Sequence, residues 1–307
     1  VLIMLKLHQM RLASLKPILI ASVFIMFEPM TWYLGRWERM DSLMMVFAMT
    51  AFLLVIQGLD NIFKNRSGQC YVLMAAVLVG LSLATHIQAA ALYVYFGMFM
   101  LAMLRHYRLR NLIYMGVIPP MVFLFLWGIT YLDKSLEAFI QLKTIADTHS
   151  GGWLAAMSRF KFGHINTRSF LHYNPVATMV TISACVVGWV IVFRQVKSEK
   201  KVWDWVKKRE NNLLTSLLVA LTGALLLIVF LLGMNAKRFI MMVPFSMFLF
   251  VIVSEKISSK LQKKINILLI AASGVSVLVV ASYLYILIVS WQSRSPDRYD
   301  AMVESVP

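Results

Sequence analysis

Long apolar runs alternate with short polar, mostly basic segments along the 307-residue chain. A helix crossing the hydrocarbon core of a bilayer needs about 20 apolar residues and satisfies its own backbone hydrogen bonds. That template predicts nine spans, at 17–34, 42–59, 71–84, 87–104, 111–132, 175–193, 213–234, 239–254 and 265–290. Residues 71–104 are almost unbroken apolar sequence, interrupted only by Thr85-His86 and Gln88. As one helix they would run about 50 Å at a rise of about 1.5 Å per residue, beyond a core of about 30 Å. Two short spans turning at His86 fit better. The expected fold is all-α, a polytopic transmembrane helix bundle forming a single domain over 1–307.

Composition and charge sharpen this pattern. The chain is 60% hydrophobic and 14% charged, with a mean hydropathy of +0.74, too apolar for an ordinary water-soluble core. With the hairpin at His86, segments 1–16, 60–70, 105–110, 194–212 and 255–264 share one side and hold 19 of the 30 Lys and Arg residues. Segments 35–41, 85–86, 133–174, 235–238 and 291–307 share the other and hold 11. A single span over 71–104 would split them 14 against 16 and export the basic 194–212 loop. The positive-inside rule therefore favours the hairpin, with 1–16 cytoplasmic.

The formal net charge of +16 is then no nucleic-acid signature. Juxtamembrane Lys and Arg fix orientation and meet anionic lipid. Lys200-Lys201-Val202-Trp203-Asp204-Trp205 through Arg209 reads as an interfacial anchor, or alternatively as a docking site for a partner. Cys70 and Cys185 share no exoplasmic surface, show no metal-ligand spacing and imply no disulfide framework. No cleavable signal peptide is visible. The chain begins at Val1 in mid-loop, so upstream sequence is expected.

The exoplasmic side gathers the candidate chemistry. Its first turn reads Gly35-Arg36-Trp37-Glu38-Arg39-Met40-Asp41. On a continuing helix Glu38 and Asp41 are i,i+3 neighbours, as are Arg36 and Arg39. Paired carboxylates offset by cations are what general-base or metal chemistry needs. The bland alternative makes Asp41 the N-cap of span 42–59, with Glu38 paired to an Arg. Glu28, before Pro29 inside the first span, is an ionisable group in apolar surroundings and so a functional candidate with Arg36, Arg39 or His86 as partner. A neutral Glu28 bonded to backbone at a Pro29 kink is the other reading. His86, at the hairpin turn, could donate to a phosphate or orient a hydroxyl, or simply be satisfied by solvent and backbone.

Between spans 213–234 and 239–254 lie Lys237 and Arg238, cations on the side where positive charge is disfavoured. They could hold a lipid-linked phosphate, Arg238 forking onto its oxygens, or snorkel to headgroups. The 133–174 loop is long for a bundle connection. Leu136, Phe139 and Ile140, then Trp153, Met157 and Phe160, recur at helical spacing around Gly151-Gly152, predicting two short interfacial helices. His149, His164 and His172 are too irregularly spaced for a metal site. Trp153 and Tyr173 could stack on a sugar or sit in an aromatic belt.

Arg39-Met40-Asp41-Ser42-Leu43, then Gly80-Leu81-Ser82-Leu83-Ala84-Thr85-His86, then Lys237-Arg238-Phe239 through Pro244, resemble in order and spacing the GT-C class of membrane glycosyltransferases. More narrowly the chain looks like the bacterial branch related to protein O-mannosyltransferases and aminoarabinose transferases. The resemblance covers residues from about 17 to 254. It implies transfer of a sugar from a polyprenyl-phosphate carrier to an acceptor hydroxyl of a glycan, lipid or protein on the exoplasmic face. Asp41 and Glu38 would then act as catalytic or supporting acids. Arg36, Arg39, His86, Lys237 and Arg238 would bind substrate.

A bacterial inner membrane, with the site facing the periplasm or exterior, is the implied location. Membrane lipids and the lipid-phosphate sugar are the implied partners. Metal dependence stays open, a divalent cation being one candidate. The family's principal carboxylate sits in a first exoplasmic loop that would precede Val1, so the chain is expected to be a fragment or an incomplete relative. The implied chemistry is displacement at the anomeric carbon, with a carboxylate deprotonating the acceptor and cations stabilising the departing phosphate. The alternative is a non-catalytic membrane protein: a transporter, a lipid flippase or a partner subunit. A transporter should carry midplane charges and mirrored halves, and here Glu28 alone qualifies as such a charge.

Overall fold

The computed structural model describes residues 2–27, 39–85, 89–104, 106–130, 175–198, 208–228, 241–257 and 261–267, with scattered residues besides between 259 and 289. Among them there are helices and no strand. In chain order the helices are α1 (Leu2–Gln9), α2 (Leu15–Phe27), α3 (Arg39–Phe63), α4 (Gln69–Thr85), α5 (Ala90–Ala102), α6 (Leu109–Thr130), α7 (Pro175–Ser198), α8 (Arg209–Leu227) and α9 (Val243–Ser254). Further helical residues lie between 259 and 289.

Among the described residues, four segments are long and apolar enough to cross a membrane: Ser42–Phe63, Leu109–Ile129, Val180–Lys197 and Glu210–Leu227. Four more apolar helices are shorter, at Leu15–Met26, Gln69–Thr85, Ala90–Ala102 and Val243–Ser254. The nine-span count is thus finer than the helices bear out. Hydropathy sums apolar residues whether or not one uninterrupted helix carries them, and a helix of about 13 residues rises only about 20 Å. The expected span 17–34 has a described helix only to Phe27, and 265–290 is described only in part. Residues 71–104 do form two helices, α4 and α5, either side of His86, which lies outside the described residues.

One helix arises where none was expected. In α1, within 1–16, Ile3, Met4 and Leu7 recur at helical spacing and are buried. It ends in a Schellman turn: Leu12 N–H donates to the Leu7 carbonyl at 3.0 Å and Arg11 N–H to His8 at 2.8 Å. Arg11 takes the left-handed conformation, with φ 57°. The end of α3 is built the same way, with Asn65 at φ 57° and Arg66 N–H donating to Asn61 at 2.8 Å.

Helix pairs are set by small residues and by polar groups that need partners. Gly58 and Gly68 meet backbone to backbone where α3 turns into α4. A Cβ at Gly80 would lie 2.6 Å from Val122 Cβ and 3.0 Å from the Pro119 carbonyl, so this glycine lets α4 lie close to α6. Pro119 and Pro120 sit inside α6 and remove two N–H donors. Pro120 would have served the Gly116 carbonyl; the Tyr93 hydroxyl of α5 donates to that oxygen instead, at 2.7 Å.

The centre of the bundle is aromatic. Phe52 of α3 meets Tyr95, Phe96 and Phe99 of α5 edge-on and stacks on Phe248 of α9 at 5.3 Å. Phe245 of α9 approaches Tyr95 to 4.3 Å. Edge-to-face and offset pairs of this kind each add about 0.5–1.5 kcal/mol beyond area burial. Every residue of α9 except Pro244 is buried, so it is the central helix, touching α2, α7 and α8 as well.

Candidate functional site

Of the sequence-derived site residues, the described part of the chain includes Arg39 and Asp41. Arg39 and Asp41 lie in the first turn of α3 (Arg39–Phe63), so Asp41 is inside the helix rather than the residue ahead of it. Arg36, Glu38, His86, Lys237 and Arg238 lie outside the described residues, as do Glu28 and the 133–174 loop.

A buried hydrogen bond fixes how α3 and α4 meet at this end: the Ser82 hydroxyl donates to the Met44 carbonyl at 3.1 Å. Asp41 precedes Met44 by one helical turn, and His86 follows Ser82 by four residues. The Thr85 hydroxyl bonds back to the Ser82 carbonyl at 2.7 Å and closes the last turn of α4. Further round, the Thr181 hydroxyl of α7 donates to Ser246 at 3.0 Å, and Ser246 to the Val243 carbonyl at 2.7 Å. This ties the start of α9, which follows Lys237 and Arg238 in the chain, to α7. Gly80, which opens the string ending in His86, has a packing reason for being glycine, the close approach to α6.

The opposite end carries a polar cluster that sequence reasoning did not single out. Asp60 is buried, 3% exposed, and its Oδ2 accepts from Lys6 at 2.7 Å and from Lys64 at 2.8 Å. The Lys64 partner was visible as an i,i+4 pair; the Lys6 partner is 54 residues away. Glu255 Oε1 accepts from the Ser14 backbone N–H at 2.8 Å and from its hydroxyl at 2.6 Å. Lys256 pairs with Glu210 at 2.6 Å. Gln69 bridges Arg110 and the Tyr114 hydroxyl. The Tyr107 hydroxyl donates to the Val55 carbonyl at 2.6 Å, and burial pushes that phenol up so that it stays a donor. These contacts join described parts of segments 1–16, 60–70, 105–110, 194–212 and 255–264.

A cavity of about 400 Å³ opens among them, between the α1–α2 turn and the neighbouring ends of α8 and α9. His8, Arg11, Ser14, Glu210, Glu255 and Lys256 supply its polar wall. Its groups suit charged recognition; among the described residues no cluster of three His, Cys, Asp or Glu could hold a metal ion. Comparison with protein-family models, with curated proteins and with solved structures finds no match to the chain.

Proposed function

We propose that the chain acts as a membrane glycosyltransferase that moves a sugar from a polyprenyl-phosphate carrier to an acceptor hydroxyl on the exoplasmic face. The reading rests on the order and spacing of Arg39-Asp41, Gly80 to His86, and Lys237-Arg238. The observation that carries it furthest is the Ser82–Met44 hydrogen bond. It holds the segments leading to Asp41 and His86 side by side, as a shared site requires. A bilayer setting is supported by four long apolar segments among the described residues, one of which, in α6, exposes Leu109, Ile113, Val117, Met121, Leu124 and Phe125. Nine spans, with the ion-paired end cytoplasmic, follow from the same reading because the basic segments gather there.

In this scheme Asp41, with Glu38, serves the acceptor hydroxyl or a divalent cation. Lys237 and Arg238 neutralise the departing lipid phosphate, and Arg36, Arg39 and His86 orient the substrates. A bacterial inner membrane, with the site facing outward, is the setting we assign. The test uses the complete protein reconstituted in liposomes with undecaprenyl phosphate carrying mannose or aminoarabinose. Asp41→Asn and Arg238→Ala should each abolish sugar transfer while inserting normally. Undiminished transfer in both variants rejects the site. Solute or lipid movement without sugar transfer instead supports a transporter or flippase.

A further inference from the structure

The cavity at the ion-paired end is lined by none of the residues assigned to sugar transfer and poses its own question. Its two carboxylates do not face two free cations. Glu210 is taken by Lys256, and Glu255 spends one oxygen, Oε1, on Ser14. Among the described residues that leaves the Arg11 guanidinium without an ion-pair partner and Oε2 of Glu255 without a donor. One unspent positive group and one unspent negative oxygen therefore border a cavity of about 400 Å³, inside the range of about 300–1,000 Å³ typical of small-ligand pockets.

Arg11 is an unexpected residue for its place. It occupies the left-handed position that ends α1, where glycine carries no Cβ penalty and arginine is strained by about 1 kcal/mol. Glycine would end α1 at least as well, so the backbone gives no reason for an arginine; its side chain does. The ring of His8 is held in place, its Nδ1–H donating to the Ala13 carbonyl at 2.9 Å, which turns Nε2 away from that bond. Apolar surface continues the site: Leu12, Ala13, Leu213 and Ile252 line the cavity, and Leu15 and Leu19, one turn apart on α2, are exposed.

We infer that this cavity binds a zwitterionic head group carrying a phosphodiester and a primary ammonium, the phosphate on Arg11 and the ammonium on Glu255. A guanidinium forks onto two phosphate oxygens, which an ammonium cannot do. The ammonium ligand completes the half-used carboxylate. The balanced wall disfavours a purely anionic ligand, which would bring its charge beside Glu255 with one unspent cation, Arg11, to meet it, Lys256 being taken by Glu210. The head group could come from an ethanolamine phospholipid or from free phosphoethanolamine. The exposed leucines beside the cavity favour the lipid, whose acyl chains they would cover.

The full chain in detergent is titrated calorimetrically with short-chain phosphatidylethanolamine, phosphatidylcholine and phosphatidylglycerol, and with phosphoethanolamine. Saturable binding should be strongest for phosphatidylethanolamine. Arg11→Gly should weaken it about tenfold or more while leaving the melting temperature unchanged or higher, because the strained backbone relaxes. Glu255→Gln keeps an acceptor for Ser14 and removes the charge; it should erase the preference for the ethanolamine over the choline head. Tighter binding of phosphoethanolamine than of the lipid would support the same groups with a soluble source. Equal affinity of Arg11→Gly and the parent chain, or no preference among the three lipids, overturns the proposal.

Discussion

Helices α6 and α9 are both almost wholly apolar, yet one lies at the edge of the bundle and the other at its centre. Eleven of the twelve residues of α9 are buried, whereas only 11% of the apolar window of α6 is. Hydropathy cannot tell them apart; the difference lies in side-chain shape and neighbours. In α9 Phe245 and Phe248 enter a ring of aromatic partners from α3 and α5. In α6 the glycines Gly116 and Gly128 face open space, and the larger side chains point away from the bundle. Lipid tails are as apolar as leucine, so in a bilayer burial between helices is decided by packing and hydrogen bonds rather than by hydrophobicity.

The largest effect is expected at the packed helix. Phe245→Ala removes a fully buried ring that meets Phe52 at 5.5 Å and Tyr95 at 4.3 Å. Phe→Ala truncations in such cores cost about 3–5 kcal/mol, since the surroundings collapse only partly. Reversible unfolding in mixed micelles would measure it. A loss below about 1 kcal/mol would show that α9 is not the centre of a packed bundle.

The exposed helix separates the two media. Met121 lies near the middle of α6 and is exposed. If lipid covers this face, Met121→Lys should reduce membrane insertion by about 2.5–3.5 kcal/mol, the cost of a lysine at the centre of a span. If water covers it, a surface substitution should stay within about 0.5 kcal/mol. Insertion scored by glycosylation mapping distinguishes the outcomes, and an unchanged inserted fraction would remove the bilayer from this face.

The helical character of the described residues and the division of 71–104 into two helices were legible because apolar run length and the reach of a helix are local properties. The pairings were not. Nothing in the sequence near Asp60 names Lys6, and Ser14 and Glu255 are separated by 241 residues. Charge counting makes residues 1–16 a loop, because it ignores the Ile3–Met4–Leu7 spacing that makes α1. One long-range contact did leave a local trace. Adjacent prolines at 119 and 120 must orphan carbonyls on α6, so a hydroxyl on a neighbouring helix could have been sought, and Tyr93 provides it. Of the candidate site, the structure shows how the helices leading to Asp41 and His86 are held together. Arg36, Glu38, Lys237 and Arg238 lie outside the described residues.

The smallest effect concerns a polar atom inside the aromatic centre. Tyr95 is fully buried, and its hydroxyl has no hydrogen-bond partner among the described residues. A buried donor left unpaired costs about 1–3 kcal/mol, and removing it while keeping the ring relieves that cost without opening a cavity. Tyr95→Phe should therefore stabilise the bundle by about 1 kcal/mol, the reverse of Phe245→Ala at its neighbour. The same unfolding measurement reads both. A destabilisation of more than about 1 kcal/mol would mean the hydroxyl is bonded, to an internal water or to a residue outside the described set. The centre would then be a polar site within an apolar helix cluster rather than a packing core.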